Sequence, residues 1–275
     1  MVAGTPLYDL LREAIRTEQP VALVEVVEVA DGLEELFARK LVVRPGGDPV
    51  VAGTLGDPGL DRVVGRDALG ELAAGLSVTR HYGRHGEARE RDVSVFIESF
   101  APPPQMIIFG AVDFTAALGR VAKVLGYRVT VCDARPVFVT RARFPMADEL
   151  VVAWPDKHLA TVGPSLGPRD AVCVLTHDPK FDVPAIVGAL ATDVGYLGAM
   201  GSRRTSDERD VRLRAAGVDE AGLARVMAPI GLDIGARTPE ETAVAICAEI
   251  IALRTGREAP SLRDRKGPIH PGGLE

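Results

Sequence analysis

The chain has 275 residues, 47% of them hydrophobic and 25% charged, with a net charge of −6. That length holds two modest domains or one large one, and the composition is that of an ordinary globular protein. The acidic balance argues against a general nucleic-acid or membrane-surface binder, and no apolar run approaches the roughly 20 residues of a membrane span.

The opening stretch, MVAGTPLYDLLREAIRTEQP, has no basic-then-apolar leader and reads as a helix over 7–17. VALVEVVEVA (21–30) mixes β-branched residues with Glu25 and Glu28 as a strand does. The Gly-, Pro- and Asp-rich segment LVVRPGGDPVVAGTLGDPGLD predicts short strands joined by turns. RDALGELAAGL predicts a helix and RDVSVFIESF another strand, making a small α+β domain over 1–100. HYGRH (81–85) spaces two histidines as a helical metal site would. Gly83 between them and the lack of a third ligand favour a loop. Three consecutive prolines then give a stiff spacer over 101–105.

Beyond it, short apolar runs (MIIFG, YRVTVCD, DELVVAW, DAVCVLTHD, DVGYLGAMG) alternate with stretches of helical period. The pattern predicts an α/β domain over 106–256, with a Rossmann-like, mostly parallel sheet covered by helices on both faces, and a tail over 257–275. Ligands of such sheets bind at the carboxyl ends of the strands, so the ends of these runs are expected to line one site. Cys132, Cys173 and Cys247 lie in apolar runs without metal-ligand spacing, which predicts buried thiols in a reducing cytoplasm. Cys132, next to Asp133, is also a candidate to carry sulfur.

Four stretches carry chemistry. IIFGAVDF keeps the first glycine of a dinucleotide-binding turn, Gly110, but Val112 and Thr115 replace the other two. A valine obstructs the backbone approach that a pyrophosphate needs. Asp133 ends the following strand about 20 residues on, where an acid would hold a ribose hydroxyl. In GAMGSRRTSDERD, Gly198 and Gly201 allow a tight loop after a strand ending at Leu197. Ser202 is placed to cap a helix beginning at Arg203. That is an anion site to which Arg203 and Arg204 add charge, or else a capped surface helix with its arginines paired to Asp207 and Glu208. LTHDPKFD puts His177 and Asp178 just past a buried strand, as an acid/base or ligand pair oriented by Asp178 or Asp182, or as a plain turn. GLDIGARTPEE sets two glycines around Asp233, then Thr238, Pro239 and Glu241 as a capping box. Ala243, Ile246, Cys247, Ile250 and Ile251 form the apolar face of the helix that follows.

The strings MIIFGA, VLGYRVTVCDARP, RFPMADELVV, VLTHDPKFDVPAI, YLGAMGSRR and PIGLDIGARTPEETAVAICAEIIALR, taken in order, closely resemble the XdhC/CoxI family over about residues 105–255. Its members are accessory factors of xanthine dehydrogenase and carbon monoxide dehydrogenase. The resemblance implies a small N-terminal domain followed by a Rossmann-like one. It also implies binding of a molybdenum cofactor (molybdopterin or its dinucleotide form) as cargo, its sulfuration, and its insertion into an apo molybdenum hydroxylase. A sulfur-donating desulfurase would be a further partner, and a homodimer is the common default. Carried over position by position, the matching residues are Gly110, Ala111, Thr176, His177, Asp178, Gly201, Ser202, Arg203, Arg204, Gly231, Asp233 and Gly235. The alternative on the same sheet is an NAD(P)-binding oxidoreductase. Two departures stand out. The family's Gly-Ala-Gly-His turn here reads Gly110, Ala111, Val112, Asp113, and the Ser-Pro-Arg and Gly-Gly-Cys strings of the N-terminal domain are missing.

Overall fold

The computed structural model describes residues 6–47, 49–264 and 266; the first five positions, position 48 and most of the final stretch of the expected tail lie outside them. The chain divides into two units, Met1–Pro103 and Pro104–Glu275.

In the first unit α1 (Pro6–Arg16) precedes β1 (Val21–Val29), β2 (Lys40–Val43), β3 (Val50–Thr54), α2 (Pro58–Ala74), β4 (Val78–Tyr82) and β5 (Val93–Phe100). The five strands form an antiparallel sheet in the order β3-β2-β1-β5-β4, with Leu23 opposite Val42 and Val24 opposite Ile97. Alternation sends Ala22, Val24 and Val26 toward Leu60, Val64 and Leu72 of α2. Val21 and Val42 face Leu7, Leu11 and Ala14 of α1 on the other side. α2 starts well before the helix read from RDALGELAAGL, because Asp57 accepts the N–H groups of Gly59 and Leu60 and Pro58 fits the first helical position. β4 differs from the loop expected at HYGRH: His81 lies on this edge strand with its Nδ1 3.0 Å from Ser94 Oγ. His85 is held 2.7 Å from Asp57. Among the described residues no group of three or more His, Cys, Asp or Glu could hold a metal ion.

The second unit holds β6 (Gln105–Phe109), α3 (Asp113–Val124), β7 (Arg128–Cys132), β8 (Glu149–Val151), α4 (Pro155–Val162), β9 (Ala171–Val174), α5 (Pro179–Leu190), β10 (Tyr196–Ala199), α6 (Arg203–Ala215), α7 (Glu220–Ala224), β11 (Val226–Met227) and α8 (Pro239–Thr255). All six strands are parallel, in the order β11-β10-β9-β6-β7-β8. Both faces are covered, as the unbroken apolar runs predict. Met106, Ile108, Val129, Val131 and Cys173 pack on α3 and α8. Ile107, Phe109, Val172, Val174 and Leu197 pack on α4, α5 and α6. Each fully buried Ile or Phe of these layers contributes about 1.5–3 kcal/mol, which makes the sheet a rigid platform. Among the expected contacts of α8, Ala243, Ile246, Cys247 and Ile250 are buried, whereas Ile251 is partly exposed.

The chain leaves β6 toward β7 and β8, then returns past β6 to build β9, β10 and β11. The reversal sits between β6 and β9, and α3 and α5 leave these two strands toward opposite faces. That is the switch point at which open α/β sheets bind ligands.

Candidate functional site at the carboxyl edge

Register aligns the site. Cys132, Phe109, Val174 and Ala199 form one row across β7, β6, β9 and β10. The residues that follow them, Asp133, Gly110, Leu175 and Met200, therefore emerge side by side along one edge, with Thr176 and Gly201 one position further out. The strand ahead of the Gly201 loop runs to Ala199, two residues beyond the predicted end at Leu197. The GLDIG loop joins the same edge, because Ile230 N–H donates to Ala199 O at 3.1 Å. The structure thus brings Gly110, Ala111, Asp133, Thr176, His177, Asp178, Gly201, Ser202, Arg203 and Arg204 to this edge and bonds the segment leading to Gly231, Asp233 and Gly235 to it at Ile230, although the side chains are deployed unevenly.

The first turn is tightly built. Gly110 has φ +112°, and a Cβ there would lie 2.7 Å from Thr176 Cγ2, so only glycine lets β6 and β9 end this close together. Thr115, in the place of the third glycine, donates its hydroxyl to Gly110 O. Ala111 N–H donates to Asp133 Oδ2 at 2.9 Å. Ala111 O accepts from Arg143 Nη1 at 2.9 Å, and the other guanidinium nitrogen of Arg143 lies 3.4 Å from Asp113. Arg143, which opens the RFPMADELVV string, comes from the long β7–β8 loop and is not among the site residues expected from the sequence.

Asp133 is not the open acid expected there. Its side chain is 1% exposed, and its carboxylate accepts from Ala111 N, Arg135 N, Arg135 Nε and Arg135 Nη2 at 2.8–3.0 Å. Burial pushes its pKa up, but the Arg135 and Ala111 hydrogen bonds outweigh this and hold it below the ordinary carboxylate value. Arg135 is half exposed and lies over the Phe138 ring, 4.6 Å from its centroid.

The β9 end differs from expectation in one respect. His177 and Asp178 are exposed, and the two carboxylates read as orienting the histidine are engaged elsewhere. Asp178 caps α5 by accepting from Lys180 N at 3.0 Å. Asp182 is buried and accepts from the Thr176 hydroxyl and, at 3.3 Å, from Arg209 Nη2. Arg209 itself is 2% exposed and also donates to Met200 O. A row of buried polar contacts, Thr176–Asp182–Arg209–Met200, therefore ties the end of β9 to the loop after β10. The Nε and Nη1 of Arg209 have no partner among the described residues. Burial raises the pKa of Asp182 more than Thr176 and Arg209 lower it.

At the start of α6 Ser202 caps as predicted, accepting from Thr205 N at 3.1 Å. Arg203 and Arg204 are the first two helical residues, with no acid in that turn. Arg204 is 88% exposed and 3.7 Å from Glu208, so the surface pairing left open by the sequence exists for this residue, as a loose contact. In the last loop Gly231 has φ +95° and donates to Glu249 Oε2 at 2.9 Å, while Asp233 and Gly235 are exposed. Thr238 and Glu241 form the predicted capping box on α8. The three cysteines are free and buried. Burial pushes Cys132 up to about 12 and Cys247 up to about 11, which keeps both protonated at neutral pH.

Fold and edge together define a Rossmann-type protein whose strand ends at the switch point carry polar side chains and several arginines. Residues 106–250 match the family described as the XdhC Rossmann domain, and the chain belongs to the XdhC family. It is 34% identical over 165 residues to a Bacillus subtilis protein named as a probable xanthine dehydrogenase subunit, covering 60% of this chain and 47% of that protein. It is 25% identical over 166 residues to the molybdenum cofactor insertion chaperone PaoD of Escherichia coli, covering 60% and 45%. The chain thus spans about half the length of the curated relatives it matches. Its fold is also that of a crystal structure described as a xanthine dehydrogenase from Bacillus halodurans (TM-score 0.53, 21% identity), covering 92% of this chain and 97% of the other. Among the described residues no helix is long and apolar enough to cross a membrane.

Proposed function

We propose that the chain binds a molybdopterin-type molybdenum cofactor at the carboxyl edge of its parallel sheet, supports its sulfuration, and hands it to an apo molybdenum hydroxylase. The observation that carries this is the start of α6, a capped N-terminus at the ligand edge with two arginines and no acid in its first turn. The helix dipole disfavours cations there and favours anions. A local preference broken at a binding edge is what a functional site leaves in a sequence. A cofactor phosphate would complete it, meeting the first N–H groups of α6 and both guanidinium groups.

In this account Ser202, Arg203 and Arg204 hold the phosphate end, and Thr176, His177 and Asp178 contact the pterin or the oxygens on the metal. Gly110, Ala111, Gly201, Gly231 and Gly235 allow close backbone approach, and Asp233 lines the rim. The protein acts as a carrier rather than a turnover enzyme, as a homodimer, with a desulfurase supplying sulfur. Buried, free cysteines suit a reducing cytoplasm. Family membership and the name of the PaoD relative support a role in cofactor handling. An NAD(P)-dependent oxidoreductase is the weaker reading, because Val112 stands at the second glycine position and the Asp133 carboxylate is already filled.

The test is equilibrium binding of molybdenum cofactor to the Arg203→Ala/Arg204→Ala variant. Losing two charge-assisted hydrogen bonds of about 1.5–3 kcal/mol each predicts a loss of about 100-fold or more, with circular dichroism unchanged. Undiminished affinity in a folded variant would refute the phosphate assignment.

A further inference from the structure

The acid at the end of the second strand of a dinucleotide-binding sheet accepts hydroxyls of a ribose. Here that acid is Asp133, and a carboxylate offers about four acceptor positions. Two are taken by backbone N–H groups that the fold fixes, Ala111 N on Oδ2 and Arg135 N on Oδ1. The other two, one on each oxygen, are taken by Nη2 and Nε of the Arg135 guanidinium, at 2.8 and 3.0 Å. These are the positions that two neighbouring hydroxyls would occupy.

We propose that Arg135 is a specificity-determining residue that closes this cleft to ribose, standing in the place of a vicinal diol on Asp133. The guanidinium is well held for that role. Its bonds to Asp133 are bidentate and join two opposite charges, whereas a ribose hydroxyl would bring no charge of its own. Its plane rests on Phe138, which lowers the entropy of keeping it there. A nucleoside with a free diol cannot displace it, so the cleft selects ligands that present no ribose at the end of β7. Arg143 reinforces the choice from the neighbouring turn, where it binds Ala111 O and lies beside Asp113. The inference rests on the carboxyl edge being the ligand cleft. Applied to the proposed cargo, it selects the pterin form without an appended nucleotide at this position.

Adenosine is the probe, because it carries the diol without the pyrophosphate that Val112 obstructs. Calorimetric titration of the full chain at millimolar adenosine is expected to give no binding for the wild type. Arg135→Met keeps a stem against Phe138 while vacating both carboxylate positions, and is expected to tighten adenosine binding at least about tenfold. That gain is expected to vanish in Asp133→Asn/Arg135→Met and for 2′,3′-dideoxyadenosine. Arg135→Lys keeps the charge beside Asp133 but cannot fill both oxygens. It is the variant to use should Arg135→Met not fold, with a gain of about threefold expected. A folded Arg135 variant with unchanged adenosine affinity, a gain shared by the dideoxy analogue, or wild-type binding as tight as the variant's would each overturn the proposal. Molybdenum cofactor is not in the assay, so failure of the carrier account and failure of the Arg135 assignment register separately.

Discussion

Arg209→Met is the most informative single change in the second unit. It removes one member of an ion pair whose side chains are 2% and 6% exposed, leaving Asp182 buried with only the Thr176 hydroxyl. Breaking a buried pair from one side costs about 3–5 kcal/mol, because the surviving charge keeps its desolvation penalty. For a unit of this size, that corresponds to a fall of about 6–20 °C in Tm. The effect carries a pH signature. Burial already raises the pKa of Asp182 in the folded state, so its contribution is favourable below the unfolded carboxylate range and is lost as pH rises through the raised value. Without Arg209 that value rises further, and the deficit is largest at neutral pH and shrinks on acidification, as Asp182 takes up a proton. Thermal denaturation followed by circular dichroism at about pH 7.5 and about pH 5 reads both quantities. Arg209→Met/Asp182→Asn removes the stranded charge while keeping an acceptor for Thr176, and should recover most of the loss and flatten the pH dependence. A Tm within about 3 °C of the wild type at neutral pH, or a deficit indifferent to both pH and the second substitution, would refute the idea that this pair braces the β9 and β10 loops.

Two further predictions bear on the edge. Gly110→Ala puts a methyl 2.7 Å from Thr176 Cγ2 at φ +112°, and is expected to destabilise by about 2 kcal/mol or more in denaturant titration, with strain and overpacking combined. A loss below about 0.5 kcal/mol would show that the two strand ends can separate freely. Cys132, Cys173 and Cys247 are expected to resist a thiol reagent in native buffer and to react together on unfolding, since burial holds them as thiols. Rapid native labelling of Cys132 would place it at an accessible surface.

The alternation of apolar runs with helical stretches made the second unit readable, because strands buried on both faces need no partner information to be recognised. The caps at Ser202 and Thr238 were equally visible, being local contacts within three residues. In the first unit, the GDPG that begins α2 reads as a turn and as a helix start alike. β4 is an exposed edge strand whose TRHY shows no alternation. At the site, Arg209 looked like one of several charges on a surface helix. Its burial depends on Asp182, 27 residues away in the chain, and on the loop carbonyl of Met200. Arg135 falls within the strand tail expected to line the site, but its bonding to Asp133, like that of Arg143 to Ala111, is not legible locally, since what they fill is defined by β6 and β7 lying side by side. Conversely, Asp133 sits where periodicity placed it, yet its role depends on a guanidinium that local pattern does not reveal.

Equilibrium titration of the wild-type chain with molybdenum cofactor, with NADPH titrated in parallel, decides what the carboxyl edge binds. Saturable binding of the cofactor, lost in Arg203→Ala/Arg204→Ala, is expected, with none of NADPH. Binding of NADPH without the cofactor would contradict the carrier account, making the edge a working nucleotide site despite Val112 and Arg135.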